Sequence, residues 1–212
     1  MAQCTMPMNI RDIVALAPVI PELEFTDISL ALPVARALCA GGLRVLEVSL
    51  RTSVGLACIE TIRKGLPDAV VGAGGLTRAV DFAAADRAGA QFAATPGLTP
   101  ELAAASRGAR FPVMPGVMTS TEVMSARNSS FTVLKLFPVE QAGGMGILRA
   151  FAAVFPDVLF CASGGVTRAN AVEYLSLANV ACVAGNWLVP QALQGDWPGI
   201  EAQARDAKSL AR

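Results

Sequence analysis

A lysine inside an apolar segment is the residue whose surroundings most strongly suggest chemistry. Lys135 lies in the β-prone run 131–138 (FTVLKLFP), whereas the two other lysines, Lys64 and Lys208, lie in polar stretches. Burial disfavours the charged ammonium and lowers the pKa of a lysine, and a neutral amine is the nucleophile that condenses with a carbonyl to give a Schiff base. The alternative is a structural lysine that extends from a strand end or closes a buried ion pair.

A carboxylate occupies a second apolar segment. Glu47 lies in the run 43–50 (LRVLEVSL), and Arg51 follows directly. Because an unpaired buried charge costs a large free energy, we expect Glu47 and Lys135 to be partners, either as a neutralised ion pair or as groups that move protons beside a substrate carbonyl. The planar guanidinium of Arg51 suits a bidentate grip on a substrate carboxylate, although an ordinary surface arginine fits the same position.

The chain contains no histidine. This excludes a Ser-His triad, a histidine-ligated zinc ion and imidazole acid–base catalysis, and with them the class II aldolases that hold zinc through histidines. No close pair of carboxylates in the sequence suggests a Mg²⁺ or Mn²⁺ site. A carboxylate-bound ion of this kind remains the open alternative; we expect no metal, so that catalysis falls to amine, carboxylate and backbone groups.

Composition favours one well-buried domain over residues 1–212. The chain is 53% hydrophobic and 16% charged, with a formal net charge of zero. It has no basic patch, which argues against nucleic acid and membrane partners, no apolar run of the roughly 18 residues that span a bilayer, and no signal peptide. The odd number and wide spacing of the cysteines predict reduced thiols and a cytoplasmic protein: Cys4, Cys39, Cys58, Cys161 and Cys182.

The elements that must position these side chains alternate along the chain. Eight short apolar runs favour strands, which are expected to start near Pro18, Leu43, Ala69, Gln91, Pro112, Phe131, Val158 and Val180. Eight β/α units in 212 residues predict an α/β fold of the (β/α)8 (TIM) barrel type, with an extra N-terminal helix over residues 9–17 that covers its bottom. A doubly wound open sheet is the alternative, since periodicity does not distinguish an open sheet from a closed one.

Helices are predicted between the strands, at residues 29–40, 52–64, 79–88, 99–106, 119–126, 146–154 and 167–177. Asp27 or Ser29, Thr99 with Pro100 at the first helical position, and Thr167 are the expected N-terminal caps. The pattern places Lys64 at the end of a helix and Lys208 in a charged C-terminal tail.

The active face of such a barrel lies at the carboxyl ends of its strands, where this sequence has glycine-rich turns. Two of them, at 163–165 (SGG) and 185–186 (GN), follow the seventh and eighth strands. This is the usual phosphate position, where bare N–H groups and a helix N-terminus hold an anion. Glycines also simply form β-to-α turns, which is the structural alternative.

Taken together, these residues resemble the 2-keto-3-deoxy-6-phosphogluconate (KDPG) and 4-hydroxy-2-oxoglutarate (KHG) aldolase family over nearly the whole chain. The matching segments are 41–52 (GGLRVLEVSLRT), 71–74 (VGAG), 96–99 (PGLT), 135–140 (KLFPVE), 143–144 (GG), 163–166 (SGGV) and 187–190 (WLVP). The resemblance implies a class I aldolase, a lyase without external cofactor that is usually a homotrimer. Such an enzyme reversibly cleaves KDPG to pyruvate and glyceraldehyde 3-phosphate in the Entner–Doudoroff pathway of carbohydrate metabolism.

The resemblance also implies roles for individual residues. Lys135 corresponds to the Schiff-base lysine, Glu47 to the general acid/base and Arg51 to the clamp on the substrate carboxylate. Pro96 and Phe137 would line the pocket. The expected phosphate cradle consists of Gly164, Gly165 and Gly185, with Ser163 and Asn186 beside it.

Several positions depart from the family pattern. Gly75 stands where the family usually has a threonine that helps to bind the pyruvate carboxylate, and Asn186 stands where it has a serine. Ser163 is a mild change from threonine. Glu22 occupies a position that is normally apolar, where an inward side chain would add negative charge beside an anionic substrate and an outward one would be a solvated strand end. We expect a shifted substrate preference with weaker dependence on phosphate.

Three alternatives stay open on the sequence alone. A pyruvate aldolase of shifted specificity would act on 4-hydroxy-2-oxoglutarate or on a non-phosphorylated substrate. A phosphate-binding barrel such as a sugar-phosphate isomerase would keep the glycine loops and use Lys135 only for its charge. A binding or assembly protein would keep the barrel without the chemistry.

Overall fold

A computed structural model describes residues 8–190 and 195–210, so Cys4 lies outside the described residues. It contains nine strand segments: β1 (Val19–Leu23), β2 (Val45–Ser49), β3 (Val70–Gly74), β4 (Phe92–Ala94), β5 (Val113–Met114), β6 (Gly116–Val117), β7 (Val133–Leu136), β8 (Leu159–Ser163) and β9 (Val180–Gly185). Valine, leucine, isoleucine and alanine dominate them and are buried, as expected for parallel strands covered on both faces.

The strands close into a barrel. The sheet runs in the order β5-β4-β3-β2-β1-β9-β8-β7-β6, and all the paired neighbours are parallel. Its two end segments, β5 and β6, are halves of one strand interrupted at Pro115, whose nitrogen has no hydrogen to donate. The predicted (β/α)8 barrel of eight strands is therefore confirmed, and the open-sheet alternative is wrong.

Helices follow the strands and pack around the barrel: α1 (Ile10–Ala15), α2 (Ala31–Ala40), α3 (Gly55–Gly65), α4 (Ala79–Arg87), α5 (Pro100–Arg107), α6 (Ser120–Asn128), α7 (Met145–Val154), α8 (Ala171–Leu175) and α9 (Trp197–Lys208). Thr99 caps α5 as predicted, with Pro100 at its first position. Asp27 caps the short 3₁₀ turn that precedes α2. No helix among the described residues is long and apolar enough to cross a membrane.

The extra N-terminal helix covers the bottom of the barrel, as predicted. Arg11 of α1 donates hydrogen bonds to the Thr132 hydroxyl at 3.3 Å and the Asp157 carbonyl at 3.0 Å, and both partners lie just before the amino ends of strands. Ile13 and Val14 of the same helix are buried. The opposite, carboxyl-end face of the barrel therefore stays open for a site.

One helix prediction and the prediction of a C-terminal tail were wrong. The helix predicted over 167–177 is only the five-residue α8, because the Asn170 side chain bonds Thr167 N, Gly165 O and Glu140 and so holds this stretch in a turn. Asn170, not Thr167, precedes the helix. The region around Lys208 is no tail: it ends α9, which packs against α2, and the ammonium of Lys208 donates to the carbonyl of Leu16 at 3.1 Å.

Candidate active site

The barrel interior holds a three-residue charged cluster. Lys135 projects from β7 and is 5% exposed, and its Nζ donates to Glu22 Oε1 at 2.6 Å and to Glu47 Oε1 at 2.7 Å. The two glutamates lie on the neighbouring strands β1 and β2 and are register partners. The predicted pair of Lys135 and Glu47 is thus present, and Glu22 points inward to join it.

Two carboxylates around one ammonium decide the protonation state of Lys135. Burial alone would lower the pKa of this lysine, as expected from its sequence context, but the Glu22 and Glu47 carboxylates together raise that pKa well above its ordinary value. The unliganded site therefore holds Lys135 as the charged partner of an ion pair, which is one of the alternatives that its sequence context left open. Lys135 is an ammonium there and must lose a proton before it can act as a nucleophile.

The two glutamates respond to this cluster in opposite ways. Burial raises the pKa of Glu47, which is 4% exposed, and the nearby ammonium of Lys135 only partly offsets that effect. Burial also acts to raise the pKa of Glu22, but the charge of Lys135 and hydrogen bonds from Lys135 and Ser163 bring it below its ordinary value. Glu47 is therefore the carboxyl that more readily holds a proton.

Each glutamate has a different set of remaining contacts. Glu22 accepts a further hydrogen bond from the Ser163 hydroxyl at 2.7 Å. The second oxygen of Glu47, Oε2, is buried and has no hydrogen-bond partner among the described residues. A Cβ atom on Gly74 would overlap Oε1 of Glu47, so the strand end beside Glu47 has room for glycine only. Glu47 is thus tightly enclosed while keeping one free acceptor atom.

The cluster forms the floor of a cavity of about 420 Å³ at the carboxyl ends of the strands. The residues that the sequence singled out and that border this cavity are Glu22, Glu47, Arg51, Gly75, Pro96, Lys135, Phe137, Gly164, Gly165, Gly185 and Asn186. Ser163 differs from them because it does not border the cavity: it is fully buried and reaches the site through its hydrogen bond to Glu22.

Sequence reasoning missed several lining residues: Ser49, Gly74, Thr77, Ala94, Thr95 and Val166. The first two and Ala94 are the last residues of β2, β3 and β4, so their position at a strand end is the signal that could have found them. Thr95 is buried, and its hydroxyl bonds the Gly97 carbonyl at 2.7 Å and the Gly116 amide at 3.3 Å, which ties two loops at the cavity rim.

Arg51 lies at the mouth of the cavity. Its side chain is 72% exposed, its Nη2 forms an ion pair with Glu24, and its Nε donates to the Ser49 hydroxyl at 3.2 Å. Gly75 lies beside Arg51 with a φ of 73°, and a Cβ atom there would touch only Arg51 Cγ, at 3.9 Å. The obstacle to a side chain at residue 75 is therefore the left-handed backbone and not a lack of space.

The turn after β8 requires its two glycines. Gly164 and Gly165 have φ angles of 89° and 88°, and Cβ atoms on them would lie 2.8 Å from Pro138 Cα and 2.5 Å from Glu140 Cγ. The expected helix N-terminus does not follow directly, since α8 begins only at Ala171. An anion at this turn would therefore meet backbone N–H groups without the start of a helix.

A family model described as KDPG and KHG aldolase matches residues 10–203. This chain belongs to the KDPG and KHG aldolase family. The resemblance predicted from the sequence is thereby confirmed, and with it the assignment of the chain to a family of lyases. Among the described residues, no group of three or more histidine, cysteine, aspartate or glutamate side chains is arranged to hold a metal ion.

Individual relatives cover almost the same length. A 2-dehydro-3-deoxy-phosphogluconate aldolase from Pseudoalteromonas atlantica is 42% identical over 199 residues, which is 93% of each chain. A KHG/KDPG aldolase from Escherichia coli is 42% identical over 204 residues, covering 95% of this chain and 96% of the relative.

Solved structures agree with the barrel in detail. The KDPG aldolase of Legionella pneumophila, with pyruvate captured as a covalent carbinolamine intermediate, matches with a TM-score of 0.92 at 39% identity, covering 96% of this chain and 98% of that one. The KDPG aldolase of Zymomonas mobilis with 3-phosphoglycerate matches with a TM-score of 0.92 at 40% identity and covers 98% of both chains.

Proposed function

We propose that this protein is a class I aldolase that reversibly cleaves a 2-keto-3-deoxy sugar acid, with KDPG as the expected substrate, to pyruvate and glyceraldehyde 3-phosphate. The observation that carries the proposal is a buried lysine with two carboxylates within 2.7 Å of its Nζ, at the floor of a cavity on the active face of a barrel. The names of the relatives and the covalent pyruvate intermediate of the Legionella pneumophila enzyme support it.

The first step is formation of an imine on Lys135. The ammonium passes a proton to Glu47, whose raised pKa suits a proton acceptor, and the neutral amine attacks C2 of the keto acid. Glu47 returns this proton to the hydroxyl of the resulting carbinolamine, which leaves as water, so that Glu47 is again a carboxylate. A protonated imine, which withdraws electrons from C3, remains on Lys135.

The second step breaks the C3–C4 bond. Glu47 accepts the proton of the C4 hydroxyl, directly or through a water molecule. The electrons of the C3–C4 bond move to the imine nitrogen, so that the aldehyde leaves and a pyruvate enamine remains. Glu47 returns its proton to C3, and hydrolysis of the imine releases pyruvate and regenerates Lys135.

The remaining lining residues are proposed to hold the two ends of the substrate. Arg51 would bind the carboxylate next to C2, which requires that it exchange its ion pair with Glu24 for one with the substrate. The end of the substrate remote from the keto acid would face Asn186 and the backbone around Gly164, Gly165 and Gly185. Pro96 and Phe137 would form an apolar wall of the cavity.

Trapping of the imine tests the proposal directly. After incubation with pyruvate and borohydride, we expect a single covalent adduct by intact mass, and peptide mapping should place it on Lys135. Lys135→Ala should abolish the adduct. Lys64→Ala is the matched control, because Lys64 is an exposed lysine paired with Glu60 on α3, and this variant should retain the adduct. A wild-type protein without adduct would overturn the proposal.

A cytoplasmic location and a homotrimer are also proposed, on the strength of the family resemblance. Cys39, Cys58, Cys161 and Cys182 are free thiols in the described structure, which is compatible with a reducing compartment. Sedimentation equilibrium of the purified protein should give three times the chain mass of 21.9 kDa, and a monomer would contradict the trimer.

A further inference from the structure

Glu22 introduces a carboxylate into the cavity beside Lys135, and its other hydrogen-bond partner, Ser163, directly precedes the glycine turn after β8. We propose that Glu22 is a specificity-determining residue, an inference that rests on the proposed aldolase function. Its carboxylate disfavours a phosphate at the end of the substrate remote from the keto acid, and it favours a neutral hydroxyl group there. KDPG remains a substrate, and the 2-keto-3-deoxy sugar acid in which a hydroxyl replaces the phosphate becomes a competing one.

The position of Glu22 is fixed by contacts with two other strands. Its Oε1 accepts hydrogen bonds from Lys135 Nζ at 2.6 Å and from Ser163 Oγ at 2.7 Å. Ser163 directly precedes the glycine turn 164–165, and Pro21, the residue before Glu22, is the register partner of Gly185 on β9. Glu22 therefore lies between the reacting amine and both glycine turns at which a phosphate would be expected.

The charges that border the cavity give a phosphate no free counterion. The cationic side chains among its described lining residues are Lys135 and Arg51, and each is already paired with a carboxylate. A phosphate at the turn after β8 would meet backbone N–H groups and, beside them, the negative charge of Glu22. Like charges at short range in a partly buried site repel strongly, so Glu22 weakens binding of a phosphate dianion.

Imine formation gives Glu22 a second task. An ammonium has three N–H donors, but a protonated imine has one, so Lys135 cannot keep both carboxylates as hydrogen-bond partners once the substrate is attached. Glu47 is enclosed, whereas the Glu22 side chain is 29% exposed and keeps Ser163 as a donor. Glu22 thus offers the substrate a second acceptor in addition to Glu47, and a hydroxyl group is the donor that fits it.

The test compares two substrates in three proteins. The value of kcat/KM is measured for KDPG and for 2-keto-3-deoxygluconate, which lacks the phosphate, in wild type, Glu22→Gln and Glu22→Val. We expect Glu22→Val to raise the ratio of kcat/KM for KDPG over the unphosphorylated acid at least tenfold, chiefly through a lower KM for KDPG. Glu22→Gln keeps the shape but not the charge, and its ratio should fall between the other two.

A matched control removes a carboxylate elsewhere. Glu60→Gln takes an equal charge from an exposed site on α3 that does not border the cavity, and it should leave the ratio unchanged. A ratio that stays constant in both Glu22 variants, or activities that fall equally for both substrates, would overturn the inference. Because Glu22→Gln is nearly isosteric, it decides the question even if Glu22→Val does not fold.

Failure of the inference is separable from failure of the proposed function. Each protein is also treated with pyruvate and borohydride. An adduct on Lys135 combined with an unchanged substrate ratio refutes the role of Glu22 and leaves the aldolase intact. Absence of both adduct and turnover in wild type refutes the aldolase itself, and with it any specificity role.

Discussion

Strands β1 and β2 each carry a glutamate, and the two glutamates are register partners that bond the same amine, yet they behave differently. Glu22 on β1 is partly open to the cavity, has a lowered pKa and has a second donor in Ser163. Glu47 on β2 is enclosed, has a raised pKa and keeps one oxygen without a partner among the described residues. The side chain is identical, so the difference comes from burial, from neighbouring charges and from neighbouring hydrogen-bond donors.

This comparison shows how one ammonium can serve two carboxylates with different tasks. An enclosed carboxyl that readily holds a proton suits acid–base chemistry, and a partly open carboxylate that stays charged suits binding and discrimination. Substitutions at each member of the cluster should therefore separate a loss of chemistry from a change in selectivity.

Replacing the shared partner should have the largest effect. Lys135→Met removes the nucleophile, so the aldol cleavage should be lost, and it leaves two carboxylates without a cation in a buried site. We expect the free energy of unfolding at pH 7 to fall by roughly 3–5 kcal/mol. Denaturant unfolding monitored by circular dichroism measures this loss.

The pH dependence of that loss has a definite sign. The folded pKa of Lys135 is raised, so its stabilising effect is complete below the ordinary lysine value of about 10.4 and is lost as the pH rises through the higher folded value. The difference in the free energy of unfolding between wild type and Lys135→Met should accordingly be at its maximum at pH 7 and decrease in strong alkali. A variant as stable as wild type at pH 7 would contradict the ion-paired cluster.

Removing the acid–base function of Glu47, the enclosed carboxyl, should have the second-largest effect. Glu47→Gln keeps the shape and an acceptor for Lys135 but cannot exchange a proton, so kcat for cleavage should fall by about 10²–10⁴-fold. Steady-state kinetics measure this change, and formation of the pyruvate adduct over long incubation confirms that Lys135 still reacts. A kcat within a factor of two of wild type would exclude Glu47 as the acid–base group.

Removing the open carboxylate should change the pH profile of imine formation. Lys135 reacts as a neutral amine, and Glu22 raises its pKa, so Glu22→Val should move the rise in trapping rate to lower pH. At a pH below the lysine pKa, each decrease of that pKa by about one unit raises the fraction of neutral amine about tenfold. The rate of pyruvate trapping by cyanoborohydride, followed from about pH 6 to about pH 10, measures the shift, with Glu60→Gln as control. A profile that is unchanged or moves to higher pH would contradict it.

The smallest effect should come from the hydroxyl that distinguishes Glu22 from Glu47. Ser163→Ala removes one donor to Glu22 while Lys135 remains, so we expect a loss of about 1 kcal/mol in the free energy of unfolding. Calorimetric or denaturant unfolding at pH 7 measures it. A gain in stability would mean that the Ser163 hydroxyl does not support Glu22.

The sequence was sufficient for the architecture and for the centre of the site. Charged residues inside apolar strands, Lys135 and Glu47, had to face a common interior, and eight β/α units predicted the barrel that brings them together. The inward direction of Glu22 could not be predicted, because a residue near a strand end can face either the interior or solvent. The direction of the Lys135 pKa shift could not be predicted from its own segment either, since burial lowers that pKa, whereas Glu22, 113 residues away in the chain, and Glu47 raise it.

Errors in local structure also have physical causes. The pattern over 167–177 suits a helix, but the Asn170 side chain makes three hydrogen bonds that favour a turn over its first half, and these involve partners as distant as Glu140. The sequence shows the proline at residue 115, but its effect on strand pairing follows only from the closed sheet.

That interruption also determines where the barrel wall opens most easily. Around Pro115, β5 pairs with β4 and β6 pairs with β7, while the Gly116 amide bonds a threonine hydroxyl in place of a ladder carbonyl. In hydrogen–deuterium exchange, local openings of the wall should therefore begin at residues 113–117, while β2 and β8, paired on both sides, exchange last. Because Gly116 is the register partner of Lys135, the first part of the wall to open borders the strand that carries the reacting amine.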